Sequence, residues 1–332
     1  MLRWVVRIAL AFPGVLLAVL FTLWSGAALW IDGPASRGFA GVLLAGYGAL
    51  VLGALVFVRP YRRALGVWAL CTCLVLVWWL SIPPRNDRNW TPDVERLPRA
   101  EIAGDLVTIH NVRNFDYATE DDFTPRWETR TYDLAGVRGV NLFLSYWGPR
   151  NIAHTIVSWD FAEGPPLAVS IETRKEIGES YSALLGFFRQ FELFYVVADE
   201  RDVVRLRTNY RGESVQMYRL RVSPDMARRF LLDYLQSINA LAEQPAWYNA
   251  FSHNCTTTIR IHAQHLGAAN RWNWRILLNG HGDELLYMNE RIDTSLPFEE
   301  LRVRSNITEK ARAAGRSPDF SAAIRAELPG AS

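Results

Sequence analysis

The chain has 332 residues, 36 Lys and Arg against 34 Asp and Glu, and a formal net charge of +2. So even a balance speaks against a nucleic-acid partner, and a composition that is half hydrophobic excludes intrinsic disorder. The charge is unevenly spread: residues 1–82 hold seven charged side chains (Arg3, Arg7, Asp32, Arg37, Arg59, Arg62, Arg63), whereas the 250 that follow hold 63, so a membrane segment precedes a globular domain.

Apolar stretches over 8–31, 38–58 and 64–82 each approach the ~20 residues an α-helix needs to cross a bilayer. A cleaved signal peptide has a shorter apolar region and explains them poorly. Trp4, Trp30, Trp78 and Trp79 fall near the ends of these stretches, at headgroup depth. Arg3 and Arg7 precede the first span, and Arg59, Arg62 and Arg63 crowd the second link. The positive-inside bias therefore expects a cytoplasmic N-terminus in the bacterial inner membrane, with everything after residue 83 on the periplasmic side.

Downstream, 152–161 and 167–174 read as strands joined by Glu163-Gly164-Pro165-Pro166. Pairing Phe161 with Leu167 makes residue numbers across the hairpin sum to about 328 and puts His154, Ser158 and Asp160 on one face with Ser170, Glu172 and Arg174. Residues 187–197 are strongly aromatic and lead to an alternating run, Asp202 to Tyr210, read as a strand. Ser223 to Ala242 reads as an amphipathic helix. Asn254 is a good N-cap, and Ile259, Ala263 and Leu266 recur at helical spacing before Gly267, so a helix opens at Cys255. Arg271-Trp272-Asn273-Trp274-Arg275 has the character of an interfacial lip. Residues 304–332, polar and rich in Ala and Arg, read as a tail or peripheral helix.

Cys71 and Cys73 fall inside the third span, so Cys255 is the one cysteine of the exported part. A thiol at the first turn of a helix meets unpaired N–H groups and the positive dipole end, which stabilise a thiolate and an oxyanion. The base comes from elsewhere. His253 and His262 are badly placed around the turn, and His110 and His281 lack a distinctive context. His262 and His265 have no third ligand nearby in sequence, so neither metal nor cofactor is expected. His154, a diagonal neighbour of Glu172 across the hairpin, is the expected base, with Glu172 holding its tautomer.

Trp90-Thr-Pro-Asp-Val-Glu-Arg, Val112-Arg113-Asn114-Phe115-Asp116-Tyr117, Ala153-His154-Thr155, Ser170 to Glu176 and Asn254-Cys255-Thr256-Thr257 together resemble the Lnb N-terminal periplasmic domain family, from about residue 84 to 303. The resemblance implies an α+β fold: a circularly permuted papain-like (NlpC/P60-type) domain of residues 83–303 with an antiparallel sheet and a Cys-bearing helix, after a three-helix anchor at 1–82. It implies acyl transfer from a phospholipid through a Cys255 thioester to an amine, the N-terminal cysteine of a lipoprotein. Arg113, Arg174, Lys175 and Asn254 are the expected substrate contacts, with the cations placed for a phosphate headgroup. A papain-like hydrolase of peptide or peptidoglycan amide bonds and a non-catalytic membrane scaffold are the competing readings; three spans favour a lipid substrate over a wall hydrolase.

Overall fold

The computed structural model describes residues 2–34, 36–267 and 272–330, with side chains from residue 12 onward. The side chains of Arg3, Trp4 and Arg7, and all of Arg271, lie outside the described residues. The chain divides into two compact units, Met1–Pro84 with Ser182–Phe191, and Arg85–Tyr181 with Glu192–Ser332.

In the first unit the three apolar stretches are helices α1 (Leu2–Ile31), α2 (Arg37–Phe57) and α3 (Tyr61–Ser81). Over Phe12–Ile31, Arg37–Phe57 and Tyr61–Ser81 they are long and apolar enough to cross a membrane. Ala28, Tyr47, Val51 and Val75 form their common interior. Two polar pairs join the helices: Tyr47 with Thr72 at 3.2 Å, and the Trp68 indole donating to Thr22 at 2.9 Å. Unpaired, such groups are costly in hydrocarbon. Phe188 packs into this interior, and Asp32 Oδ2 accepts from the Trp79 indole (2.6 Å) and the Arg189 backbone N–H (3.2 Å). The aromatic run expected over 187–197 is thus divided: 187–191 belongs to the helical unit and only the remainder enters the sheet.

The second unit is built on a mixed sheet. Its strands are β1 (Arg99–Ala103), β2 (Leu106–Arg113), β3 (Asp116–Tyr117), β4 (Phe123–Thr124), β5 (Trp127–Asp133), β6 (Val137–Tyr146), β7 (His154–Phe161), β8 (Leu167–Arg174), β9 (Glu192–Asp199) and β10 (Ser214–Arg219). The order is β1-β2-β9-β8-β7-β6-β10, with β5 also on β2 and β3–β4 a separate ribbon. All main-sheet pairs are antiparallel except β2 with β9. The α+β class after three apolar helices is as expected. Helices α4 (Glu200–Arg205), α5 (Pro224–Glu243), α6 (Cys255–His265), α7 (Gly282–Met288), α8 (Phe298–Arg304), α9 (Thr308–Ala314) and α10 (Phe320–Arg325) complete the unit.

Three expectations are corrected. Trp159 pairs with Leu167 and Ile156 with Ser170, so residue numbers across the hairpin sum to 326 rather than 328. A slip of two keeps every side chain on its expected face, because the strand period is two, and turns His154 and Glu172 from diagonal neighbours into opposite ones. The Asp202–Tyr210 strand is instead α4 running into a wider helical turn at Leu206–Tyr210. Asp199 caps it by accepting from the Arg201 N–H, and Glu200 and Asp202 sit in the first turn, where the helix dipole favours acids. Finally, 304–330 is no tail: Ile307, Ala311, Phe320 and Ile324 are fully buried in the main core with Phe143, Ile156 and Phe194. One of the charged residues that disguise this region is an internal partner, Arg325 reaching Asp160 (2.8 Å) and Glu200 (2.6 Å).

Candidate active site

Cys255 is the first residue of α6. Asn254 Oδ1 accepts from the Thr256 and Thr257 N–H groups, and the Thr257 hydroxyl accepts from the Asn254 N–H, a complete capping box. The cap takes two of the first-turn donors. An oxyanion is therefore left the N–H of Cys255 itself, which has no intrahelical acceptor at this position.

His154 opens β7, and its ring is close enough to the Cys255 thiol for each group to shift the ionisation of the other. Its Nε2 lies 2.6 Å from Ser170 Oγ and 3.1 Å from Glu172 Oε1, which leaves Nδ1 for the sulfur. Ser170 Oγ donates to Glu172 Oε1 at 2.7 Å. Beyond it, Arg207 Nη2 donates to the same oxygen at 2.9 Å, Arg207 Nη1 reaches Glu213 Oε2 at 3.1 Å, and the Ser145 hydroxyl donates to Glu213. The thiol thus begins a continuous line of alternating acid and base that ends in the sheet interior.

Burial is the largest influence on each member and opposes its charged form. In His154 burial and the Arg207 charge act downward, but the Glu172 carboxylate and the thiol override them and carry the imidazole up to about 9. In Cys255 burial acts upward, yet the hydrogen bond and charge of His154, with the Thr155 N–H, bring the thiol below its ordinary value. Burial likewise opposes ionised Glu172, but His154 and Arg207 hold it well below the usual carboxylate range. The arrangement favours a thiolate beside an imidazolium.

Asn279, which the sequence reading did not single out, fixes the spacing of these two groups. Its Oδ1 accepts from the Ala153 N–H (3.0 Å), and its Nδ2 donates to Ala153 O (2.7 Å) and to Thr256 Oγ1 (2.6 Å). One buried amide therefore grips the residue before His154 and the residue after Cys255. Gly280 follows because any Cβ there would sit 1.8 Å from Arg150 O; only glycine allows the two loops to approach this closely.

His154, Glu172 and Arg207 line a polar cleft of about 540 Å3, together with Trp147, Tyr181, Tyr248 and Lys175. Of the four expected substrate contacts, Lys175 fits best, with an ammonium that makes no ion pair or hydrogen bond among the described residues. Arg113 also lines the cleft, but its donors are spent: Nε and Nη2 on fully buried Asp202 and Nη1 on Asp93 O. Asp202 also accepts from the Phe115 N–H and the Tyr117 hydroxyl, so the Val112–Tyr117 motif is wrapped around an internal carboxylate. Arg174 is 1 % exposed, lies 4.2 Å from the Trp90 ring, and donates to Val94 O, Glu95 O and Asn86 Oδ1. It is scaffold, as is Asn254, whose Oδ1 caps the helix and whose Nδ2 donates to Ala250 O. A headgroup cannot engage these three without breaking internal bonds.

Asp233 of α5 supplies the partner that His262 and His265 lack in sequence, and the ligand atoms of the three lie within 4.8 Å of one another. These residues have the chemistry to hold a metal ion. In the structure Asp233 instead accepts from both Nδ1 atoms, at 2.6 and 3.0 Å, while His262 Nε2 pairs with the Tyr195 hydroxyl at 2.8 Å. The clasp fastens α6 to α5 and β9.

Compared with known proteins, residues 123–280 match the family described as the Lnb N-terminal periplasmic domain. No curated protein and no solved structure matches the chain. The matched segment, a little under half of the chain, contains His154, Glu172, Cys255 and Asn279, so the site lies in the part that is similar to the Lnb N-terminal periplasmic domain family, within a membrane protein with three apolar N-terminal helices.

Proposed function

We propose that the protein is a thiol acyltransferase of the inner membrane, with a cytoplasmic N-terminus and a periplasmic catalytic domain. The donor is a phospholipid and the acceptor an amine, the N-terminal cysteine of a lipoprotein. The observation that carries this reading is the hydrogen-bonded Cys255–His154–Glu172 line, in a chain whose three apolar helices keep it at the bilayer. The Cys255 thiolate attacks an ester carbonyl carbon to form a C–S bond, and the Cys255 N–H is placed for the oxyanion. The ester C–O bond breaks, and the leaving lysophospholipid oxygen takes a proton from the His154 imidazolium. An incoming amine attacks the thioester, His154 accepts its proton, and the C–S bond breaks to leave an amide and the free thiolate. Lys175, at the cleft wall, is the contact for the phosphate.

Intact-mass analysis of the full chain in detergent with phospholipid tests this reading. A mass gain of one fatty acyl chain, absent in Cys255→Ala and His154→Ala, is expected. No gain, together with cleavage of muropeptides, would replace it with an amide hydrolase.

A further inference from the structure

On α6, Thr256, Ile259, Ala263 and Leu266 line a second cavity, of about 220 Å3, which Leu144 of β6 and Val157 of β7 help close from the sheet side. We infer that this cavity holds the hydrocarbon chain of the Cys255 thioester. The inference rests on the acyl-transfer reading and adds where the chain goes and what limits its length.

Three observations carry it. The space is a recess partly open to the surface, and an apolar ligand that enters it gains by burying its surface along apolar walls. The walls are mainly aliphatic. A peptide or sugar inserted along them would leave its polar groups unsatisfied, whereas a methylene chain has none to satisfy.

The third observation is continuity with the nucleophile. Thr155 follows His154 directly, its hydroxyl lies 3.3 Å from Thr256 Oγ1, and its side chain lines the cavity. Thr256 follows Cys255 directly and lines it too. Sulfur and cavity therefore lie on two sides of the same pair of residues, with Asn279 joining the pair as a polar neck. From Thr256 to Leu266, just past the end of α6, the cavity follows the helix for ~15 Å, and Ala263 is the small residue along that wall, about two turns from Cys255.

The test uses the full chain in detergent with an equimolar mixture of dipalmitoyl and dioctanoyl phospholipids of one headgroup, reading the Cys255 adduct by intact mass. Ala263→Phe fills the part of the cavity about two helical turns from Cys255. It is expected to lower the ratio of palmitoyl to octanoyl adduct at least tenfold, while Cys255 alkylation by iodoacetamide keeps the wild-type rate. An unchanged ratio in a variant that alkylates normally overturns the cavity and leaves acyl transfer standing. A second measurement does not depend on turnover: a phospholipid with a diazirine at the end of its palmitoyl chain, photolysed with Cys255→Ala. Label on peptides within 140–157 or 256–266 supports the cavity; label absent from both overturns it, whether or not the wild type forms an adduct.

Discussion

Arg207 Nη2 and His154 Nε2 meet the same oxygen of Glu172, at 2.9 and 3.1 Å. The carboxylate is held between a permanent cation and a titratable one, so it stays ionised and keeps the imidazole turned toward Cys255. Glu172→Gln removes the anion but preserves the shape. Activity is expected to fall ~100-fold or more, the scale associated with a positioned acid–base group, without loss of folding. Arg207→Gln leaves a buried carboxylate with one partner fewer and is expected to cost ~10-fold to 100-fold. Acyl-adduct formation rates, read beside the far-ultraviolet circular dichroism of each variant, check both; a wild-type rate in Glu172→Gln would remove Glu172 from the mechanism.

The pH dependence follows from the same line. Because the Cys255 thiol lies below its ordinary 9.0, the thiolate persists as pH falls, and iodoacetamide alkylation is expected to reach half its maximal rate below pH 9. Glu172→Gln and His154→Ala remove the source of that lowering and move the midpoint upward. For stability the sign is the opposite one. His154 rises from 6.5 to about 9 on folding, so its contribution is complete below 6.5 and is lost as pH climbs through 9. The melting-temperature advantage of wild type over His154→Ala should shrink across that interval.

Asn279 joins the strand that carries His154 to the helix that carries Cys255. Asn279→Ala leaves the Ala153 N–H, the Ala153 carbonyl and the Thr256 hydroxyl short of a partner in a buried place, a loss of about 2–4 kcal/mol. Asn279→Asp keeps the acceptor but loses the two donations, so it should not rescue. Gly280→Ala is expected to be as damaging, since its Cβ collides with backbone rather than with a movable side chain. Denaturant midpoints and Cys255 alkylation rates should fall together; a stable Asn279→Ala with wild-type alkylation would show that the spacing has another keeper.

What could be read from the sequence was whatever lay within one element. The spans stand out because charge is missing from them, the Cys255 helix because Asn254 and the 259, 263, 266 spacing are local, and the His154 face because strand parity survives a register slip of two. Asn279 and Arg207 were invisible for the opposite reason: their partners lie 126 and 35 residues away, and no local pattern marks an amide or guanidinium for burial. Arg113 and Arg174 misled in the same manner. A cation in a polar motif resembles a ligand contact until Asp202, or the carbonyls of Val94 and Glu95, are seen to occupy it.

The C-terminal residues give the sharpest test of how far composition misleads. Arg325 is neutralised by Asp160 and Glu200, and Asp160 lies on the β7–β8 hairpin, at the end of β7 remote from His154. Phe320 and Ile324, on the same short helix, are completely buried against the sheet core. Phe320→Ala is therefore expected to cost about 3–5 kcal/mol, through lost burial and the cavity left behind. Arg325→Met, by contrast, strands Glu200, which is fully buried, and should cost ~3 kcal/mol or more although it keeps an apolar stem of similar reach. If 304–330 were a solvated tail, both would leave the denaturation midpoint unmoved, and truncation at residue 304 would keep Cys255 as reactive as in the full chain. Because Ile307 and Phe320 share one core with Ile156, two residues from His154, truncation is expected to abolish that reactivity.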